Sequence, residues 1–184
     1  MTTDDWLTVV TVLGLTGSGL LVGASLIGIV MAARAVKHFS FLRGRAFSWH
    51  QWGTTFIAVV MLSHSLMSLT TSDRTKIVWQ NILVPFTATK ETLWLGIGSV
   101  ALYILVITVA ISLTIRKQHL KLWRVLHYGT YIALALGLTH SLFISSTFQP
   151  DWKLDFLDAE KVTVELFGLV LVAAAVFRIR RGAA

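Results

Sequence analysis

The sequence predicts an all-α membrane bundle of about five spanning helices, with the N-terminus outside and the C-terminus cytoplasmic. Three observations carry that prediction. Of 184 residues, 55% are hydrophobic and 14% charged, and the mean hydropathy is +0.72, a balance suited to a polytopic membrane protein rather than a soluble domain. Most of the apolar residues fall in uncharged runs that, at about 1.5 Å per residue, cross a hydrocarbon core of about 30 Å. The basic residues alternate sides: eleven of the sixteen Lys/Arg lie in 34–45, in 116–124 and after 177, whereas every acid except Glu165 lies in the opposite segments. The positive-inside rule then fixes the orientation.

Five segments fit as spans. The first, 6–33, is rich in small residues, and Gly19 and Gly23 form a GxxxG that suits close helix packing inside the bundle. Its acidic start, MTTDDW, and its length argue for a retained helix and against a secretory signal. The second span is 47–69 and the third, 92–115, is uncharged and free of histidine. The fourth, 123–145, is uncharged after Arg124, and the fifth, 162–177, carries Glu165 near one end as an interfacial carboxylate. Between the second and third spans, IVWQNILVPF is apolar enough to lie along the membrane surface, and Pro85 stops any helix there from running on. The tryptophans sit at predicted helix ends or in outer loops, as an aromatic belt requires. The whole of 1–184 reads as one domain.

Several chemistries are excluded. The chain has no cysteine, and so no disulfide, iron–sulfur cluster, thiolate zinc site or covalent CxxCH haem attachment. The net charge of +7 reflects topology control, and no nucleic-acid partner is expected.

The chemistry that remains is imidazole. An imidazole in hydrocarbon needs a partner, which makes each intramembrane histidine a functional candidate. The second span holds His50 and His64, fourteen residues apart, and the fourth holds His127 and His140, thirteen apart. Both spans run from the cytoplasm outward, so the histidines match by depth: His50 with His127 at an inner level, His64 with His140 at an outer one. Two bis-histidine, non-covalent b-type haems fit this ladder, since a low-spin iron takes two axial imidazoles. At about 100° per residue, fourteen residues fall about 40° short of four turns and thirteen fall about 140° short. His127 and His140 therefore share no face of an ideal helix, and a crossing, a kink or a tightening near Gly129 or Gly137 has to bring both to the haems. Arg45, Lys121 and Arg124 are placed to meet propionates of the inner haem. His38 and His119 lie in basic cytoplasmic segments and read as surface residues. The competing reading is that all four intramembrane histidines only pack, bonded to Ser, Thr or backbone, in a non-catalytic membrane anchor or partner subunit.

The H-x13-H span at His50 and His64, followed by LWRVLH and the H-x12-H at His127 and His140, resembles the ferric reductase-like transmembrane domain. NILVPF and LWLGIGSVALYILVI are similar to the outer loop and next helix of bacterial members. The resemblance covers about 47–145. That family includes NADPH oxidases, ferric reductases and the haem-binding membrane subunit of periplasmic methionine sulfoxide reductase. It implies that the four histidines ligate two haems passing electrons across a bacterial cytoplasmic membrane. It also implies a cytoplasmic flavoprotein or quinol as donor, with flavin or quinone supplied by a partner, and ferric iron, oxygen or a periplasmic reductase as outer acceptor. Fuller members add flavin and nicotinamide domains. No GxGxxG occurs here, so the expectation is a haem-bearing subunit and not a self-contained oxidase.

Overall fold

The computed structural model describes residues 3–32, 45–72, 76–89, 91–116, 118–144 and 159–182. His38, with most of its basic segment, and most of the acidic outer loop after 144 lie outside the described residues. Among the described residues the chain forms helices and no strand. They are α1 (Thr3–Ala32), α2 (Ala46–Met67), α3 (Trp79–Leu83), α4 (Thr92–Thr114), α5 (Leu120–His127), α6 (Gly129–Ile144) and α7 (Ala159–Gly182). A 3-10 turn, Ser68–Thr71, continues α2.

Three of these helical stretches are long and apolar enough to cross a membrane: Asp5–Ala32, Ala46–Thr71 and Thr92–Thr114. They are apolar around most of their circumference, because lipid can cover one side and neighbouring helices the other. Side chains such as Val59 and Ile107 accordingly point outward, more than half exposed. The fourth predicted span is divided. α5 ends at His127 and α6 begins at Gly129, and the sixteen residues of α6 extend about 24 Å. The fifth is longer than 162–177, running from Ala159 to Gly182 with charged residues near both ends.

α1 lies along α2, and α4 along α6; α1 also meets α6 and α7, and α2 meets α4. α2, which carries His50 and His64, and α6, which carries His140, share no interface of that extent. Both contribute to one buried apolar cluster of Leu21, Val22, Ala24, Ile57, Leu105, Ala133 and Leu134. Ile57 lies seven residues from both His50 and His64, so along α2 the cluster sits midway between the two histidines.

Only one half of the GxxxG packs closely. A Cβ on Gly19 would lie 2.9 Å from Cζ of Phe167 on α7, whereas Gly23 faces open space. The segment between α2 and α4 folds into the single turn α3, leaving Trp79, Leu83 and Phe86 more than half exposed. The Tyr103 hydroxyl on α4 donates to the carbonyls of Ile82 and Leu83 and ties this turn to the bundle. At the end of α6, the Lys161 ammonium, buried on α7, donates to the Leu142 carbonyl. That carbonyl lies in the last turn of α6, where helical acceptors lack partners and a cation is favoured.

Candidate cofactor site at two histidine pairs

The four histidines named from the sequence meet in two pairs. The ring centroids of His50 and His127 lie 6.0 Å apart with planes at 75°, and those of His64 and His140 lie 6.5 Å apart with planes at 82°. The phase deficit of the thirteen-residue spacing is met at the junction of α5 and α6. There the Tyr128 N–H donates to Val125 O (3.2 Å) and the Tyr131 N–H to Tyr128 O (3.1 Å). Both are i to i+3 bonds, which turn the chain about 120° per residue instead of about 100°. A tightening beside Gly129 thus puts the two histidines on separate helical segments.

Three of the imidazoles are anchored to backbone on a neighbouring helix. His50 Nδ1 bonds Ala24 O at 2.9 Å, His64 Nδ1 bonds Val10 O at 2.8 Å, and His140 Nδ1 bonds Trp94 O at 2.8 Å. A carbonyl can only accept, so Nδ1 carries the proton and the Nε2 lone pair is left for another ligand. His127 is held differently. Its ring stacks on Trp123 at 5.0 Å and 25°, and its buried Nδ1 has no hydrogen-bond partner among the described residues.

The two levels differ in room. The outer pair lines a cavity of about 580 Å³, whose walls include Gly14, Met61, Gly98 and Leu102 and whose polar groups include Ser99 and Ser141. That volume falls within the range of cofactor pockets, about 300–1,000 Å³. The inner pair lines a space of only about 50 Å³, closed by Phe47, Leu113, Arg116 and Trp123. Leu21 and Leu105 border both.

Two imidazole nitrogens about 2 Å from a shared metal put their ring centroids about 6 Å apart, once ring radii of about 1 Å are added. Both pairs have that spacing. Among the described residues no group of three or more His, Cys, Asp or Glu gathers. Two axial imidazoles are the protein's share of a bis-histidine haem, whose macrocycle would supply the other ligands. The outer level fits haem in both spacing and volume. The inner level fits it in spacing alone, and a macrocycle enters there only if Trp123 and its neighbours part.

Arg45, Lys121 and Arg124 are exposed and line neither space. The cation that does border the inner pair is Arg116 at the end of α4, its guanidinium 4.1 Å above the Phe47 ring and 5.9 Å from the Trp123 ring. In the sequence it is one more basic residue of the segment 116–124, and nothing distinguishes it from Lys121 or Arg124. His119 is exposed, as is Glu165. Comparison of the chain with protein-family models, curated proteins and solved structures returns no match, so the site is read from its own geometry.

Proposed function

We propose that the chain is a membrane cytochrome b that carries electrons across the bilayer on two non-covalent haems. His64 and His140 hold the outer haem, and His50 and His127 the inner. The observation that supports this most is the pairing: two imidazoles face each other at each of two depths, at the spacing of a shared axial metal. Haem supplies a one-electron ferric–ferrous couple when bound. The chain's own residues orient the histidine nitrogens that would hold it, exclude water with the apolar cluster around Ile57 and Leu105, and set the charge near each pair.

In this reading α5 and α6 together make the fourth span and α7 the fifth, with the N-terminus outside and the basic segments cytoplasmic. The donor is a cytoplasmic flavoprotein or quinol, and the acceptor is ferric iron, oxygen or a periplasmic reductase on the outer side of a bacterial inner membrane. The resemblance of the histidine spacing to the ferric reductase-like transmembrane domain supports the same direction of flow.

The test is an absorption spectrum of the protein purified from cells supplied with ample haem. Narrow reduced bands of six-coordinate low-spin iron are expected, with all the haem extractable because no cysteine can bind it covalently. A colourless preparation would leave the histidines as packing groups and the chain as a membrane anchor.

A further inference from the structure

The three backbone-anchored histidines share a feature of the helix that anchors them. His64 bonds Val10 O, and four residues on stands Gly14; His50 bonds Ala24 O, and four residues on stands Gly28; His140 bonds Trp94 O, and four residues on stands Gly98. In an α-helix the carbonyl of residue i accepts the N–H of residue i+4 and has a second lone pair to offer. The side chain at i+4 leans back toward the N-terminus and covers that carbonyl. Glycine there uncovers it.

The imidazoles occupy the uncovered space. A Cβ on Gly98 would lie 2.6 Å from His140 Nδ1, and one on Gly14 would lie 2.8 Å from His64 Cε1. A Cβ on Gly28 would lie 3.3 Å from His50 Cε1. The first two are impossible without moving a stiff ring, and the third is tight. The register agrees: Gly14 and Gly28 are fourteen residues apart on α1, as His50 and His64 are on α2. On α4 the position thirteen residues beyond Gly98, the spacing of His127 and His140, is Ile111 and not glycine. His127 is the histidine whose Nδ1 has no partner among the described residues.

We propose that Gly14, Gly28 and Gly98 are positioning residues for the haem ligands. Each opens the carbonyl that holds one imidazole by Nδ1 and thereby sets the tautomer and the ring plane presented to the iron. The inference rests on the haem reading above and adds to it which residues orient the ligands. Such outer contacts to a metal-ligating histidine are worth about 10–100-fold in affinity.

The experiment uses the full chain in detergent, with Gly98→Ala, Gly14→Ala and Gly28→Ala beside two controls, Gly23→Ala on α1 and Gly168→Ala on α7. A Cβ at either control position enters open space. Haem titration and the electron paramagnetic resonance of the ferric protein are read for each. Near-perpendicular axial imidazoles give a highly anisotropic low-spin signal, which falls as one ring turns toward the other.

Gly98→Ala and Gly14→Ala should weaken haem binding at the outer level by about 10–100-fold and reduce the anisotropy of that signal alone. Gly28→Ala should shift the inner signal alone and more mildly, and it carries the test if the other two do not fold. Both controls should keep both signals. Wild-type signals in Gly98→Ala and Gly28→Ala, or the same losses in Gly23→Ala and Gly168→Ala, overturn the inference. A wild-type chain that binds no haem overturns the haem reading and this inference with it, whereas haem-loaded wild type beside unaltered glycine variants overturns this inference alone.

Discussion

The imidazoles of His64 and His140 stand 6.5 Å apart, centre to centre, with planes 82° from parallel, although 76 residues separate them in the sequence. Each is tied by Nδ1 to a different helix, His64 to α1 and His140 to α4. Removing either should therefore produce the same lesion. His64→Ala and His140→Ala are expected to lose about half the haem and the same spectral component, since one axial nitrogen does not hold a six-coordinate iron. His50→Ala and His127→Ala should each lose the other half. A His50→Ala spectrum matching His140→Ala and not His127→Ala would refute the assignment of the pairs to levels.

The unequal spaces predict an order of filling. The outer pair borders a cavity of about 580 Å³, the inner one of about 50 Å³. Opening the inner level means parting packed side chains, among them the stack of Trp123 on His127, and that loses contact energy that the outer level keeps. Titrating haem-depleted protein should thus fill the outer level first. His64→Ala should abolish the first equivalent, and His50→Ala should leave it in place. If His50→Ala removes the first equivalent, the inner level is the open one in solution.

The meeting of His50 with His127 and of His64 with His140 was legible in the sequence because a histidine in an uncharged run of spanning length stands out, and helical rise converts its position into height along the helix. The anchors were not legible. Their acceptors are the carbonyls of Val10, Ala24 and Trp94, and a carbonyl has no residue type. The glycines that uncover them were visible, but Gly14 and Gly28 sit among other small residues of α1 that suggest only helix packing. Their fourteen-residue spacing, equal to that of His50 and His64, was the signal available. Gly129 and Gly137 both stood as places where the thirteen-residue spacing could be resolved, and nothing in the sequence chose between them; the i to i+3 bonds around Tyr128 lie beside Gly129. Lys161 looked like one basic residue of an acidic outer loop, and its burial depends on the end of α6, far from it in sequence.

Arg116 should set the potential of the inner level. It lines the same space as His50 and His127 and is held over Phe47 by cation–π contact. A nearby positive charge favours the ferrous state, which carries one positive charge fewer. Arg116→Leu is therefore expected to lower the inner midpoint potential by tens of millivolts, on the order that a screened unit charge in a partly buried site produces, with the outer potential unchanged. Arg116→Lys keeps the charge and should restore most of the shift, although an ammonium lacks the planar stacking of guanidinium. Redox titration of both variants checks this, and a rise in the inner potential on Arg116→Leu would contradict it.

The orientation rests on charge and on helix direction together. α2 carries His50 then His64, and the pair α5–α6 carries His127 then His140, so both run in chain order from the His50–His127 pair to the His64–His140 pair. The paired rings are therefore compatible only with α2 and α6 running the same way across the bilayer. α1 and α4, which run back beside them, must then be antiparallel to both. In the proposed five-span reading the connections alternate sides, which puts the basic segments 34–45, 116–124 and after 177 together on one. Loops rich in Lys and Arg stay cytoplasmic because moving them outward across the membrane opposes the insertion bias. A phosphatase that works only in the periplasm, fused after Ala184, should be inactive, and a fluorescent reporter that matures only in the cytoplasm should be bright at the same junction. The same phosphatase inserted after Thr89, in the segment between α3 and α4, should be active. The reverse pattern would place Arg116 and the inner level outside and turn the proposed direction of electron flow around.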